Sequence, residues 1–423
     1  MWSQKGNLTS VSVLAVVLTG GLFIMAASPA SAVSVTVGCP GASGVFDYTS
    51  LYEALVALHA ISHRDHLIIV SGVCAENVEI GGFEMLTIVG TEGAGLVMPS
   101  TKAWQHLLYI YRSTGISIRN LKFQGNPLDQ NSMVRIAFKS EVEFEDCVFE
   151  QAGGEALFVT GQTMVWLDSC VFQGNGAGAR FETQSLLMVG QVHGDPEPCV
   201  FRDNGSGIVV SYSAHASIFG NTRIEDNDTG IEILGARVNL CCADGLRRLT
   251  GNGCAVSADF GTLISHGPVL IQGNRDWAMN MRNTTARLFP GAEILDNQAG
   301  VVATFGSVLQ FWSVDVSGNG GFGIILSDDS SIQLENSEVT SNSAGIFVGA
   351  NSSAQVSGST ITDNASAGLR LTALSTGSVW GNVVRDNGSW DLFCSPNSYA
   401  QGEKSGFDRV FCPGFDKSPN PKP

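Results

Sequence analysis

Lysine is missing from more than half of the chain: none lies between Lys139 and Lys404. Any cationic base in that span would have to be an arginine. Positive charge is scarce throughout, with 23 Lys and Arg against 39 Asp and Glu, a net charge of −16. That balance argues against nucleic acid and anionic membrane surfaces as partners. It is also a poor steering field for a polyanion unless a cation bridges the two. Long apolar runs are equally scarce. Beyond Val11 to Ala27 no stretch is long enough to span a membrane. No helical stretch separates the β-rich phrases that fill the rest of the chain.

The first apolar run reads as an export signal. Lys5 supplies a short positive start, Val11 to Ala27 the apolar region, and Ala30-Ser31-Ala32 a small-residue cleavage site. Residues 1–32 are therefore expected to be a signal peptide cleaved near Ala32, leaving a secreted or periplasmic protein. The chain has 423 residues and 50 glycines, too long for one ordinary globular core, so several domains or one elongated repeat is expected.

The repeat is present. Asn204, Asn227, Asn252, Asn274, Asn297, Asn319, Asn342, Asn364 and Asn387 follow one another at intervals of 22 to 25 residues. Each is followed by a small residue and an apolar, alternating phrase, as in Gly230-Ile231-Glu232-Ile233 and Gly345-Ile346-Phe347-Val348. A second strand precedes each Asn, as in Ile332-Gln333-Leu334, and a third short step follows it, as in Glu338-Val339. Asn126 and Asn175 continue the series upstream with more drift. Three short strands and three turns make a coil, alternation points every second residue inward, and stacked coils satisfy one another's backbone. Asn suits such a turn because it tolerates left-handed backbone and bonds its neighbours. A leucine-rich repeat has a similar period. Here the inward residues are mixed Ile, Val, Phe, Ala and Leu, which favours an all-β right-handed parallel β-helix over that horseshoe.

From Val33 to Cys394 the chain resembles the pectin-lyase-like superfamily of parallel β-helix repeat proteins. The resemblance implies a fold; the activities of the family have to be sought residue by residue. Gly115-Ile116-Ser117-Ile118-Arg119-Asn120-Leu121-Lys122-Phe123 and Phe144-Glu145-Asp146-Cys147-Val148-Phe149 are similar to pectin methylesterase phrases. The acid-bearing phrase expected next is replaced by Gln151-Ala152-Gly153-Gly154-Glu155-Ala156-Leu157, so that activity is not implied. A polygalacturonase-like set is also incomplete: Asn227-Asp228-Thr229-Gly230, Ala243-Asp244-Gly245, Ser265-His266-Gly267 and Met281-Arg282-Asn283 scramble the first motif, halve the aspartate pair and lack the lysine.

The ends need caps. Ser50-Leu51-Tyr52-Glu53 reads as a capping box opening a helix to about His59, with Leu51, Ala54, Leu55 and Leu58 on its apolar face. The expected organisation is a signal peptide (1–32), an N-terminal cap with the first strands (33–104), β-helix coils (105–390), a disulfide-closed C-terminal cap (391–415) and a disordered tail (416–423). Among ten cysteines, Cys39 with Cys74 and Cys394 with Cys412 read as terminal staples. Cys147, Cys170 and Cys199 repeat one Cys-Val-Phe phrase and should stack as a buried column of small residues. Cys241, Cys242 and Cys254 leave an odd thiol. No histidine stands at ligand spacing beside them, so no metal site is expected.

For function, the outward places on the main strand are expected to run Arg180, Val209, Glu232, Ala255, Ala278, Val302, Ile325, Phe347 and Arg370. Val302, Ile325 and Phe347 would form an apolar stripe on which a sugar could stack, with Gln310, Gln333 and Gln355 bonding its hydroxyls. The reading favoured is an exported, monomeric scaffold facing a polysaccharide or cell-surface glycan, without a clear catalytic site. The alternative is a polysaccharide hydrolase or lyase with an atypical site near Glu182, Glu232, His266 and Arg282. No cofactor is implied. Calcium would suit acids such as Asp328-Asp329, yet nothing indicates it, and the pair reads first as a solvated turn.

Peptide mapping without reductant tests the N-terminal staple. The expected result is one pair of peptides joined through Cys39 and Cys74, a closure contributing about 3–4 kcal/mol. Two free thiols would remove the clamp.

Overall fold

Short strands that alternate inward and outward leave half of their backbone groups unpaired unless another coil lies above and below. The chain meets that demand by stacking. A computed structural model describes residues 33–61, 65–100, 106–190, 197–241, 245–413 and 415. The expected signal peptide and tail, together with Cys242 and Asp244, lie outside the described residues. The strands form three parallel sheets of 16, 14 and 15 strands, wound into a right-handed solenoid of about 14 turns. We call them the first, second and third sheets, in the order in which a coil visits them. One coil runs Ser331–Glu335, Glu338–Thr340, Ala344–Val348. The one helix among the described residues, Leu51–His59, stands near the N-terminus. Three strands per coil, with no helix between them, exclude the horseshoe.

Identical phrases stack into columns. Phe123, Phe149, Phe172 and Phe201 lie wholly inside, their rings 4.8, 4.4 and 4.7 Å apart in nearly parallel planes. Cys147, Cys170 and Cys199 form the neighbouring buried column as thiols.

The asparagines form a continuous ladder at the corner between the second and third sheets. Asn204 shows the pattern. Its Nδ2 donates to Phe172 O in the previous coil (3.1 Å) and to Asn227 Oδ1 in the next (3.0 Å). Its Oδ1 accepts from the Asn175 backbone N–H (3.0 Å) and Asn175 Nδ2 (2.9 Å). Both donors and both lone pairs of a buried amide are thus used. The pattern runs from Asn175 to Asn387, where Nδ2 donates to Asp391 Oδ1 (3.0 Å). Asp391 is wholly buried, and its other oxygen accepts from the backbone N–H groups of Asp408 and Arg409. At the other end the Ala152 backbone N–H donates to Asn175 Oδ1 (2.9 Å), and the Asn126 side chain instead accepts a local turn bond from the Leu128 N–H.

The ladder residues do not themselves adopt left-handed backbone. The residue before each of them does, as at Asp203 (φ 54°), Asp226 (φ 56°) and Asp363 (φ 58°). A left-handed residue turns the corner, which frees the following Asn to extend and point its amide inward.

At the N-terminal end Leu51, Ala54, Leu55 and Leu58 are buried. Half of the capping box forms: Ser50 Oγ accepts from the Glu53 N–H (3.3 Å). The carboxylate that completes the cap belongs to Glu76, which accepts from Ser50 Oγ (2.5 Å) and the Leu51 N–H (2.7 Å). An acid at a helix N-terminus is favoured by the unpaired N–H groups there. Cys39 is bonded to Cys74, and Cys394 to Cys412. The segment expected to be a C-terminal cap adds further strands, Leu392–Cys394, Tyr399–Gly402 and Val410–Phe411, to the sheets.

Replacing Asn342 by Ala is expected to cost about 2–4 kcal/mol. The change takes the acceptor from the Asn319 backbone N–H and from one of the two Asn319 Nδ2 protons, and the amide donor from the Val316 carbonyl. The turn bonds alone would suggest only about 1 kcal/mol. Denaturant unfolding of the variant, with binding measured in parallel, checks this; unchanged stability would remove the ladder from its structural role.

Candidate functional site

The third sheet carries the proposed stripe on its outer face. Val302, Ile325, Phe347 and Arg370 are neighbours in register, and the column continues through Phe393 to Phe411. Val302, Ile325 and Phe347 are each half-buried. The Phe347 ring meets Phe322 edge-on at 5.6 Å, and Arg370 lies between the rings of Phe347 and Phe393, 5.8 and 5.4 Å from their centres. Two members of the expected column need correcting. Ala255 and Ala278 are wholly buried, and the outward places in their coils belong to Ser257 and Asn280. Ala255 takes the place of Gly230 beside the ladder, where a Cβ added at Gly230 would stand 3.3 Å from the Asn252 amide. Strict alternation therefore breaks at that corner. Val209 is outward by register but only 2% exposed, lying between Arg180 and Glu232.

The weak catalytic candidates do not converge. Glu182 is held by Arg180, Nε to Oε1 at 2.7 Å, and that arginine also reaches Glu155 at 3.6 Å. Glu232 shares a column with Arg180 rather than with Glu182, two coils on. Two strand spacings and a two-residue offset put their backbone positions roughly 12 Å apart, and the Arg180 ion pair holds the Glu182 carboxylate on its own coil. His266 lies at the end of a first-sheet strand, stacked on Phe289 at 5.2 Å, which stacks on Trp312 at 5.0 Å. Arg282, on the third sheet, lies over the Phe305 ring at 4.5 Å. Arg247 is wholly buried and donates to the carbonyls of Cys241 and Pro268. Asp328 and Asp329 both occupy left-handed turn positions (φ 56° and 62°) between the third and first sheets. Three of the thiols are also poor nucleophiles. Burial pushes Cys170 well above its ordinary range, Cys199 up to about 12 and Cys254 up to about 11.

The glutamines build a different site. Gln310, Gln333 and Gln355 lie in register on the outer face of the first sheet, not on the sheet that carries Phe347. The column continues through Ser378 to Gln401. Beside it runs a second column, Val308, Ser331, Ser353, Thr376 and Tyr399. Together they line a groove of about 370 Å³. It contains none of Val302, Ile325 and Phe347, and no charged residue is among those that line it. The Asn amides bond one another, whereas these Gln amides do not. Among the described residues Gln333 Nε2 donates to Glu335 Oε1 at 2.5 Å, and Gln310 and Gln355 make no side-chain hydrogen bond. Aromatic groups flank the groove: Tyr399 is 53% exposed, Trp380 donates from its indole to Ser378 Oγ (2.9 Å), and Trp312 stands two residues beyond Gln310 on one strand. Ser378, Tyr399 and Gln401 escaped the sequence reading, although counting on from Gln355 by 23 residues twice reaches Ser378 and Gln401.

A second hollow of about 550 Å³ is bordered by Arg112, Thr114, Phe138, Lys139 and Gly161. Its two cations are exposed residues on turns with left-handed backbone.

This architecture has recognised counterparts. Residues 106–267 and 269–406 match the family described as the right-handed beta helix region, and the chain belongs to that family. None of the curated proteins matches it in sequence. Among solved structures, it is similar to the A-module of Azotobacter vinelandii mannuronan C-5 epimerase AlgE4, with 12% identity over 87% of this chain and 94% of that one, and a TM-score of 0.42. The catalytic domain of a GH87 α-1,3-glucanase shares 14% identity over 90% of this chain and 69% of that one, with a TM-score of 0.35. For pectate lyase Pel9A the figures are 12%, 88% and 75%, with a TM-score of 0.21. At these identities the likeness is one of fold.

Replacing Phe347 by Ser separates the two faces. The ring's half-buried contacts should be worth about 1 kcal/mol, read as a small fall in unfolding midpoint. Any ligand held in the first-sheet groove should bind the variant as it binds the parent. A collapse of stability would show the ring to be part of the core, and a loss of groove binding would show that the faces act together.

Proposed function

We propose that the protein is an exported β-helix scaffold that presents the first-sheet groove to carbohydrate. The observation that carries this reading is the row of outward glutamine amides that do not bond one another. A side-chain ladder that served the stack would be closed on itself, as the asparagine ladder is. Open amides and hydroxyls at every coil suit a ligand that offers hydroxyls at regular intervals, and a sugar chain is such a ligand. Two disulfides fit an oxidising compartment, and no helix among the described residues is long and apolar enough to cross a membrane. The hydrolase or lyase alternative draws no support from the site, since Glu182, Glu232, His266 and Arg282 stand on separate faces or coils. The apolar stripe at Val302, Ile325 and Phe347 remains a separate surface, available to a partner rather than to the same sugar.

Screening the purified protein against a glycan panel, scored for both binding and cleavage, tests the reading. Intact glycan should be retained and no shortened product formed. The double replacement of Gln333 and Gln355 by Ala should weaken retention by about tenfold, the equivalent of one or two lost hydrogen bonds, while stability changes by less than about 0.5 kcal/mol. Cleaved product would overturn the scaffold reading in favour of an enzyme.

A further inference from the structure

We infer that the ligand of the first-sheet groove is an uncharged glycan lying parallel to the solenoid axis, and not a polyuronate. The inference rests on the carbohydrate reading above and narrows it. It begins with charge. The polar lining of the groove is Gln310, Gln333, Gln355, Gln401, three serines, Thr376 and Tyr399, with no lysine, arginine or histidine to neutralise a carboxylate. It also offers no acidic pair among its lining that could hold a bridging cation. Charged groups lie at its margins: Arg287 one coil before Gln310, Glu335, which accepts from the Gln333 amide, Glu403 two residues beyond Gln401, and Asp328 and Asp329 in the turn before Ser331. A uronate chain brings one negative charge per ring. In this groove those charges would lose water without gaining a counter-charge, on a protein whose own net charge is −16. Neutral hydroxyls suffer no such penalty. Each can exchange a water for an amide or a hydroxyl that both donates and accepts.

Direction follows from the repeat. The lining spans five successive first-sheet strands, from Val308–Trp312 to Tyr399–Gly402. Four strand spacings make a binding track roughly 19 Å long. The same amide recurs at each of the first three strands, so successive sugar rings along the axis meet equivalent partners. A chain lying across the sheet would meet one amide and then the corner. Tyr399 closes the C-terminal end of the track, where its exposed ring offers a flat face to the last sugar.

The test compares neutral gluco-, manno- and galacto-oligosaccharides of increasing length with galacturonate and mannuronate oligosaccharides, by calorimetry at low and high salt. The full mature chain and its Gln333→Glu and Tyr399→Ala variants are used. The inference expects binding by at least one neutral series, insensitive to salt and strengthening with length until roughly four rings fill the track. Gln333→Glu, which withdraws an amide donor and sets a carboxylate beside Glu335, should weaken neutral binding at every length, whereas Tyr399→Ala should weaken only the longer oligosaccharides. Uronates that bind better than every neutral series, with affinity falling in salt, would overturn the ligand class and leave the carbohydrate reading standing. Binding that does not grow with length would overturn the axial direction. No binding by any series would overturn this inference together with the reading beneath it.

Discussion

From Asn175 to Asn387 each coil depends on its neighbours through a buried amide that has no use for water. Each ladder asparagine takes two bonds from the coil before it and gives two onward, from its backbone N–H and its amide, and one back, so an isolated coil would hold five unsatisfied polar positions in an apolar setting. Such groups are costly to bury unpaired and nearly neutral when paired. The ladder therefore does more than add stability. It makes the spacing of the corner uniform, and the uniform corner sets the register of the strands on either side. The outward columns that form the groove follow from that register, whereas the phenylalanine and cysteine columns begin before the first ladder asparagine.

Because register is inherited from coil to coil, a surface residue acts as one member of a row. The contrast between the two amide rows is instructive. Asparagine, with its short arm at a corner, folds inward and is consumed by the stack. Glutamine, with a longer arm on a flat sheet face, stays outside and is largely unconsumed. The same functional group thus serves cohesion in one column and is left available for recognition in the other, decided by where in the coil it falls.

Much of the architecture was legible in the sequence because its period is carried by the one residue the core cannot replace cheaply. Counting from Asn204 to Asn387 locates the coils, and the terminal cysteine pairs stand where the coils stop. The columns were less legible. Ala255 and Ala278 read as strand residues facing outward, but they sit where the chain is still rounding the corner, a distinction of backbone direction that residue type does not record. The left-handed position belongs to the residue before each Asn, usually an Asp, Ser or Gly that is unremarkable in a surface turn. Glu76 could not be linked to Ser50 from sequence, since 26 residues separate them and only the fold brings them together. The site was half legible. Its glutamines could be counted out, but Phe347 was assigned to the same surface because a linear sequence does not show that four turn residues carry the chain from one sheet to the next.

The termination at Asp391 has a consequence for how such a molecule can change its length. The amides all point one way, so the series has a head, the Ala152 N–H, and a foot, the Asp391 carboxylate, and each ladder amide between them makes the same bonds. Excising one whole coil would bring together two ladder amides already shaped to bond each other. Inserting a coil would do the same on both sides. The protein can therefore be shortened or lengthened in whole-coil steps with its ends untouched, and the groove would be cut or extended in the same units, like a ruler marked in strands.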